Sequence, residues 1–172
     1  MNKSLERLNF LEEEGSLNED FFREIIRVHD PFLKVDRSIS PVCTEEGIKL
    51  RPMISCARKP SEYKASDLKM YKYTLQKGDD YCFSDEVVRS LEALALMPRC
   101  VGLEDLLAIQ ERGFPFQQKF FPEGEILMGW GSLSLGEDGN KYFPVLFKGN
   151  PVEWEMVGEC VSDHRNISLY FK

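Results

Sequence analysis

Histidine is scarce in this chain and cysteine is thinly scattered. The 172 residues hold two histidines, His29 and His164, and five cysteines, Cys43, Cys56, Cys82, Cys100 and Cys160. The cysteine count is odd and no two lie close together, which fits neither a disulfide framework nor a Cys-x-x-Cys zinc clip. Neither histidine has a cysteine or a second histidine within three residues, so a metal site would need long-range assembly. The expectation is no metal, no cofactor, and reduced thiols, as in the cytoplasm. Long apolar runs are missing too. The longest, residues 93–97 and 143–147, span five residues each, against roughly 20 for a bilayer span. Glu6 and Arg7 interrupt the first apolar residues, so the start reads as folded protein, not as a secretory signal. Phosphate cradles are absent: there is no Gly-Lys-Ser or Gly-Lys-Thr. Gly129-Trp130-Gly131 lacks the third glycine and the helix start of a dinucleotide fingerprint. A bulge or sharp bend is the cheaper reading of that pair of glycines.

What remains is an ordinary globular composition, 42% hydrophobic and 30% charged, with net charge -7. One domain over residues 1–172 is the natural count. The charge is uneven. Residues 1–30 carry eight acids and four bases, residues 31–80 seven and ten, and residues 81–172 fourteen and eight. An acidic exterior repels a phosphate backbone and suits a basic protein partner.

Periodicity predicts an α+β fold, helix-rich over 1–112 and strand-rich over 125–172. Leu5, Leu8 and Leu11, then Phe22, Ile25 and Ile26, follow helical spacing on either side of Gly15, which predicts an N-terminal helical hairpin. Pro31 ends it. Ser84-Asp85-Glu86 reads as the cap of a central helix bearing Val87, Val88 and Leu91, closed by Pro98. A second central helix spans 103–112 and stops at Gly113. Period-two alternation marks a strand over 69–75, resumed at 81–83. Further strands at 125–130, 132–135, 142–147, 152–157 and 167–171 are joined by turn chemistry. They predict a mainly antiparallel C-terminal meander with the helices packed on it. Pro144 argues for an edge position or a late start for its strand.

Three constellations compete for function. Cys160, Asp163 and His164 bring a thiol, a carboxylate and an imidazole into one short stretch, the one place where such groups crowd together, as a small Cys/His-dependent hydrolase or transferase would need. Neighbouring residues rarely aim at one another, so a surface turn explains the stretch more cheaply. The segment 113–124 carries four phenylalanines and two prolines, and Phe116 and Phe120 could anchor a contact for an adaptor subunit. Burial within the chain is the commoner fate of such rings. In residues 151–157, alternation puts Val152, Trp154 and Met156 on one face and Glu153, Glu155 and Val157 on the other. An aromatic anchor among carboxylates suits a basic partner; a core tryptophan with solvated glutamates is the bland alternative. The basic stretch 64–77, with interleaved tyrosines, reads as a strand with a solvated lysine face before it reads as a nucleic-acid surface. Acidity, few catalytic residue types and an aromatic strand-rich half together lean toward a non-catalytic binding module. The type is an antagonist or immunity protein that neutralises a basic partner such as a toxin.

Overall fold

The computed structural model describes residues 33–54, 59–72, 81–113, 117, 126–158, 160–162 and 166–172. The hairpin expected over residues 1–30 lies outside them. In chain order the strands are β1 (Leu33–Lys34), β2 (Leu50–Pro52), β3 (Glu62–Tyr63), β4 (Leu68–Lys72) and β5 (Tyr81–Phe83). Helices α1 (Ser84–Ala93) and α2 (Leu103–Glu111) follow, with a 3-10 turn at Met97–Arg99 between them. The rest is strand: β6 (Ile126–Met128), β7 (Ser134–Gly136), β8 (Lys141–Phe147), β9 (Val152–Met156), β10 (Cys160–Ser162) and β11 (Asn166–Phe171). The fold is α+β, with two helices among the described residues and a mostly antiparallel sheet.

Both helices start as their sequences suggest, with one change of partner. Glu86 reaches back to accept a hydrogen bond from the Phe83 amide at 3.1 Å, and acids fill the first turn of each helix. Ser84 does not cap α1. It is the first helical residue, buried, and its hydroxyl accepts the Gly158 amide at 2.7 Å. Nor does Pro98 close α1, whose last residue, Ala93, lies five positions before it, as Ala95 turns left-handed (φ 54°). The Leu96 amide there reaches the Leu91 carbonyl, the long backbone bond of a Schellman-type stop.

The sheet is not the simple meander expected. β8 pairs with β9 on one edge and with both β6 and β7 on the other. Thus β6 and β7 are two pieces of one strand, split by a 3-10 turn at Trp130–Ser132. Residues 129–133 face only Phe143 and Pro144 across the ladder, a bulge far wider than one extra residue. Beyond the bulge the sheet forks. β6 continues to β11 in parallel and then to β4, while β7 continues to β2. The backbone of Cys100–Val101 enters the fork. The Val101 amide donates to Leu169, and the Val101 carbonyl accepts from Gly131 at 2.8 Å. β10 leaves the sheet to pair with β5.

The bulge explains the central position of Pro144, which had suggested an edge. Val157 donates to the Lys141 carbonyl, so antiparallel alternation turns the Pro144 backbone away from β9 and toward the bulge. No ladder donor is required there, and its carbonyl accepts the Gly129 amide at 2.8 Å. The glycines on either side of Trp130 follow from crowding. A Cβ on Gly131 would stand 2.2 Å from the Cys100 carbonyl oxygen, and one on Gly129 would stand 2.7 Å from the Pro144 ring.

The sheet buries both faces at its centre. On one, Val87, Val88 and Leu91 of α1 pack with Met128, Trp130, Phe143 and Val145. Trp130 stacks on Phe143 at 4.0 Å and satisfies its indole N–H on Ser168 at 2.9 Å. On the other, α2 packs over β8 and β9 and reaches β1.

Candidate functional site

Strand β9 ends the sheet on the β8 side, and among the described residues no strand pairs with its outer edge. Its register places Pro144 opposite Trp154, Phe143 opposite Glu155 and Val145 opposite Glu153. Cross-strand partners share a face. Glu153 and Glu155 therefore lie on the α1 face with Phe143 and Val145. Val152, Trp154 and Met156 lie on the α2 face with Pro144. The alternation expected from the sequence is realised, and it sends the indole and the two carboxylates to opposite sides of the strand. All five residues are half-buried.

The same alternation fixes which backbone groups point outward. Glu153 and Glu155 bond back to β8, whereas Val152, Trp154 and Met156 turn their amides and carbonyls away from it. Each helix tethers one end of this strand. Gln110 of α2 accepts the Val152 amide at 3.0 Å, and Ser84 of α1 accepts the Gly158 amide. Trp154 and Met156 form the stretch between those tethers. The result is a short, fixed edge carrying one large ring and two acids, a geometry suited to receiving an extended chain.

A second group of charges lies at the fork, and the sequence did not reveal it. Arg37 donates to both oxygens of Asp105, at 2.7 and 2.8 Å. Tyr63 Oη and the Gly102 amide also donate to this carboxylate, at 2.7 and 2.9 Å. Asp105 is fully buried. Arg37 also holds the Pro60 carbonyl. Alongside, Lys59 Nζ donates to the Cys100 carbonyl. Ser132 Oγ accepts the Leu103 amide at 2.8 Å and donates to buried Glu104 at 3.3 Å. Burial opposes the Arg37 cation, but the hydrogen bonds and charge of Asp105 outweigh it and raise its pKa. Burial, followed by the charge of Asp105, pushes the Tyr63 hydroxyl far above the phenolic range. The carboxylate is saturated with donors, so this cluster fastens the first turn of α2 to the segment around Arg37 and Tyr63. Glu104 and Asp105 were visible only as acids at a helix start, and nothing in the sequence joins them to Arg37.

The other expected residues fare differently. Cys160 lies in β10 with its backbone opposite Phe83, while Asp163 and His164 lie outside the described residues. So do Phe116 and Phe120. Among the described residues no cluster of three or more metal-ligand side chains occurs. Cys100 is no nucleophile: burial pushes its thiol up to about 12, against the pull of Lys59 and Arg99. A groove of about 290 Å³ between β2 and β7 is lined by Lys49, Leu50, Arg51, Leu135, Gly136 and Glu137, a lining without a thiol or imidazole. No helix among the described residues is long and apolar enough to cross a membrane. Comparison with family models, curated proteins and solved structures finds no match for this chain.

Proposed function

We propose that this chain is a non-catalytic, acidic protein-binding module of the cytoplasm, an antagonist or immunity-type protein that neutralises a basic partner such as a toxin. The observation that carries the reading is the outer edge of β9, with Trp154 on one face and Glu153 and Glu155 on the other. A partner strand laid along it gains backbone hydrogen bonds from Trp154 and Met156. Its alternate side chains then meet an indole on one side and carboxylates on the other. The net charge of -7 steers a cationic partner toward the encounter, and the buried ring governs how slowly it leaves.

The test is affinity capture from the native host by the wild-type chain, by Trp154→Ser and by the pair Glu153→Lys with Glu155→Lys. A basic protein retained by the wild type and lost by both variants supports the reading. Its association rate should fall steeply as salt rises. Equal capture by the charge-reversed chain, or an association rate indifferent to salt, overturns it.

A further inference from the structure

The row β9-β8-β6-β11-β4 crosses the sheet from one edge to the other, and its two edges match each other. We propose that a second copy of this chain seats its β4 edge on the β9 edge, extending the sheet head to tail.

Strand polarity comes first. β9 and β6 both run opposite to β8, β11 runs parallel to β6, and β4 runs opposite to β11. β9 and β4 therefore point in opposite directions. A copy placed alongside, with the same face up, brings its β4 antiparallel to β9. Backbone parity agrees. The Lys172 amide donates to Asp67, so the alternation of that pair turns the backbone groups of Leu68, Met70 and Lys72 outward. Among the described residues no strand pairs with this edge either. Leu68 and Met70 lie on the same face of the sheet as Val152, Trp154 and Met156.

Side chains then select the register. With Met70 opposite Trp154, the two five-residue strands overlap completely. Met70, 44% exposed, lies against the half-buried indole, a favourable sulfur–aromatic contact. Leu68 stands opposite Met156. On the α1 face, Lys69 of one copy meets Glu155 of the next, and Tyr71 meets Glu153. An open edge bearing lysine resists pairing with a like edge, but this chain's other edge carries the opposite charge. In the fully overlapped registers, pairing β9 with β9 sets Glu153 against Glu155, and pairing β4 with β4 sets Lys69 against Tyr71 with no opposite charge to meet it. The mixed pairing, which sets Lys69 against Glu155, is therefore favoured over either symmetric dimer. What remains is a heterologous contact, which generates an open chain of copies, turned by the sheet twist, instead of a closed pair. The inference does not require the partner reading, and because both use the β9 edge a bound basic partner caps the chain of copies.

The decisive measurement is sedimentation velocity of the full chain from low micromolar to millimolar concentration, at low and at high ionic strength. The expected result is a mass average that climbs past the dimer with concentration and drops with salt. A species that stays monomeric, or stops at a dimer, overturns the proposal. Lys69→Glu makes both edges acidic, and Glu153→Lys with Glu155→Lys makes both edges basic. Each variant, shown folded by circular dichroism, should associate about tenfold more weakly than the wild type, and an equal mixture should recover association as acidic and basic copies alternate. Variants that associate as well as the wild type, or a mixture as dispersed as its components, also overturn it. Lys69→Glu leaves β9 intact, so loss of self-association with retained capture of a basic partner separates this inference from the proposed function.

Discussion

The fork and the β9 edge both concentrate charge and aromatic rings, yet they use them in opposite ways. At the fork every described charge is occupied, and Glu104 and Asp105 are buried. Asp105 accepts from Arg37, Tyr63 and the Gly102 amide, and Lys59 is spent on a backbone carbonyl. At β9 the acids stand half-exposed on a strand whose outer backbone groups turn away from the sheet. A saturated buried carboxylate stabilises a fold and has nothing left to offer a ligand. A half-buried acid on an edge strand keeps part of its surface open, and in the proposed reading that surface meets another molecule. Residue type alone does not separate the two cases; burial and position in the sheet do.

Four variants sharpen that contrast. The largest effect belongs to Arg37→Ala, which strands Asp105 without its cation and should cost about 3–5 kcal/mol in denaturant unfolding. Pairing Arg37→Met with Asp105→Leu should recover only part of this, because Tyr63 and the Gly102 amide then lose their acceptor. A double variant as stable as the wild type would show that the cluster is dispensable to the fold. Gly131→Ala comes next. Its Cβ collides with two backbone carbonyls, which cannot give way as a side chain tip does, and a loss of about 3 kcal/mol is expected. A melting temperature within a degree or so of the wild type would contradict the tight fork. At the small end, Glu153→Gln with Glu155→Gln should shift unfolding by no more than about 0.5 kcal/mol while sharply reducing capture of a basic partner. A large stability loss there would make those acids part of the fold and not of a docking edge.

Local signals were legible and long-range ones were not. The apolar spacing of Val87, Val88 and Leu91, and the Gly113 stop, mark α1 and α2 within a few residues. The alternation in β9 gives its two faces correctly because a strand's period is a property of consecutive residues. Pro144 misleads because its tolerance depends on a bulge contributed by residues 129–133, on another strand. The parallel pairing of β11 with β6 joins segments some forty residues apart, and no short-range pattern announces it. Arg37 and Asp105 are 68 positions apart. Their pairing is written only in the packed structure, so the fork cluster was invisible. Ser84 carries a sequence-level cap signature and is used elsewhere, on Gly158, since a buried hydroxyl goes to whichever donor the packing supplies.

The position of β11 has a consequence for how the chain matures. This strand lies between β6 and β4, and β4 is made roughly a hundred residues before it. During synthesis β4 therefore waits, with Met70 and Lys69 unaccompanied, until β11 emerges to hold it. Through that interval its two edges are both open to misplaced pairing. A ribosome-tethered series of increasing length should show protection from protease arriving at β4 only once residues 166–171 have cleared the exit tunnel.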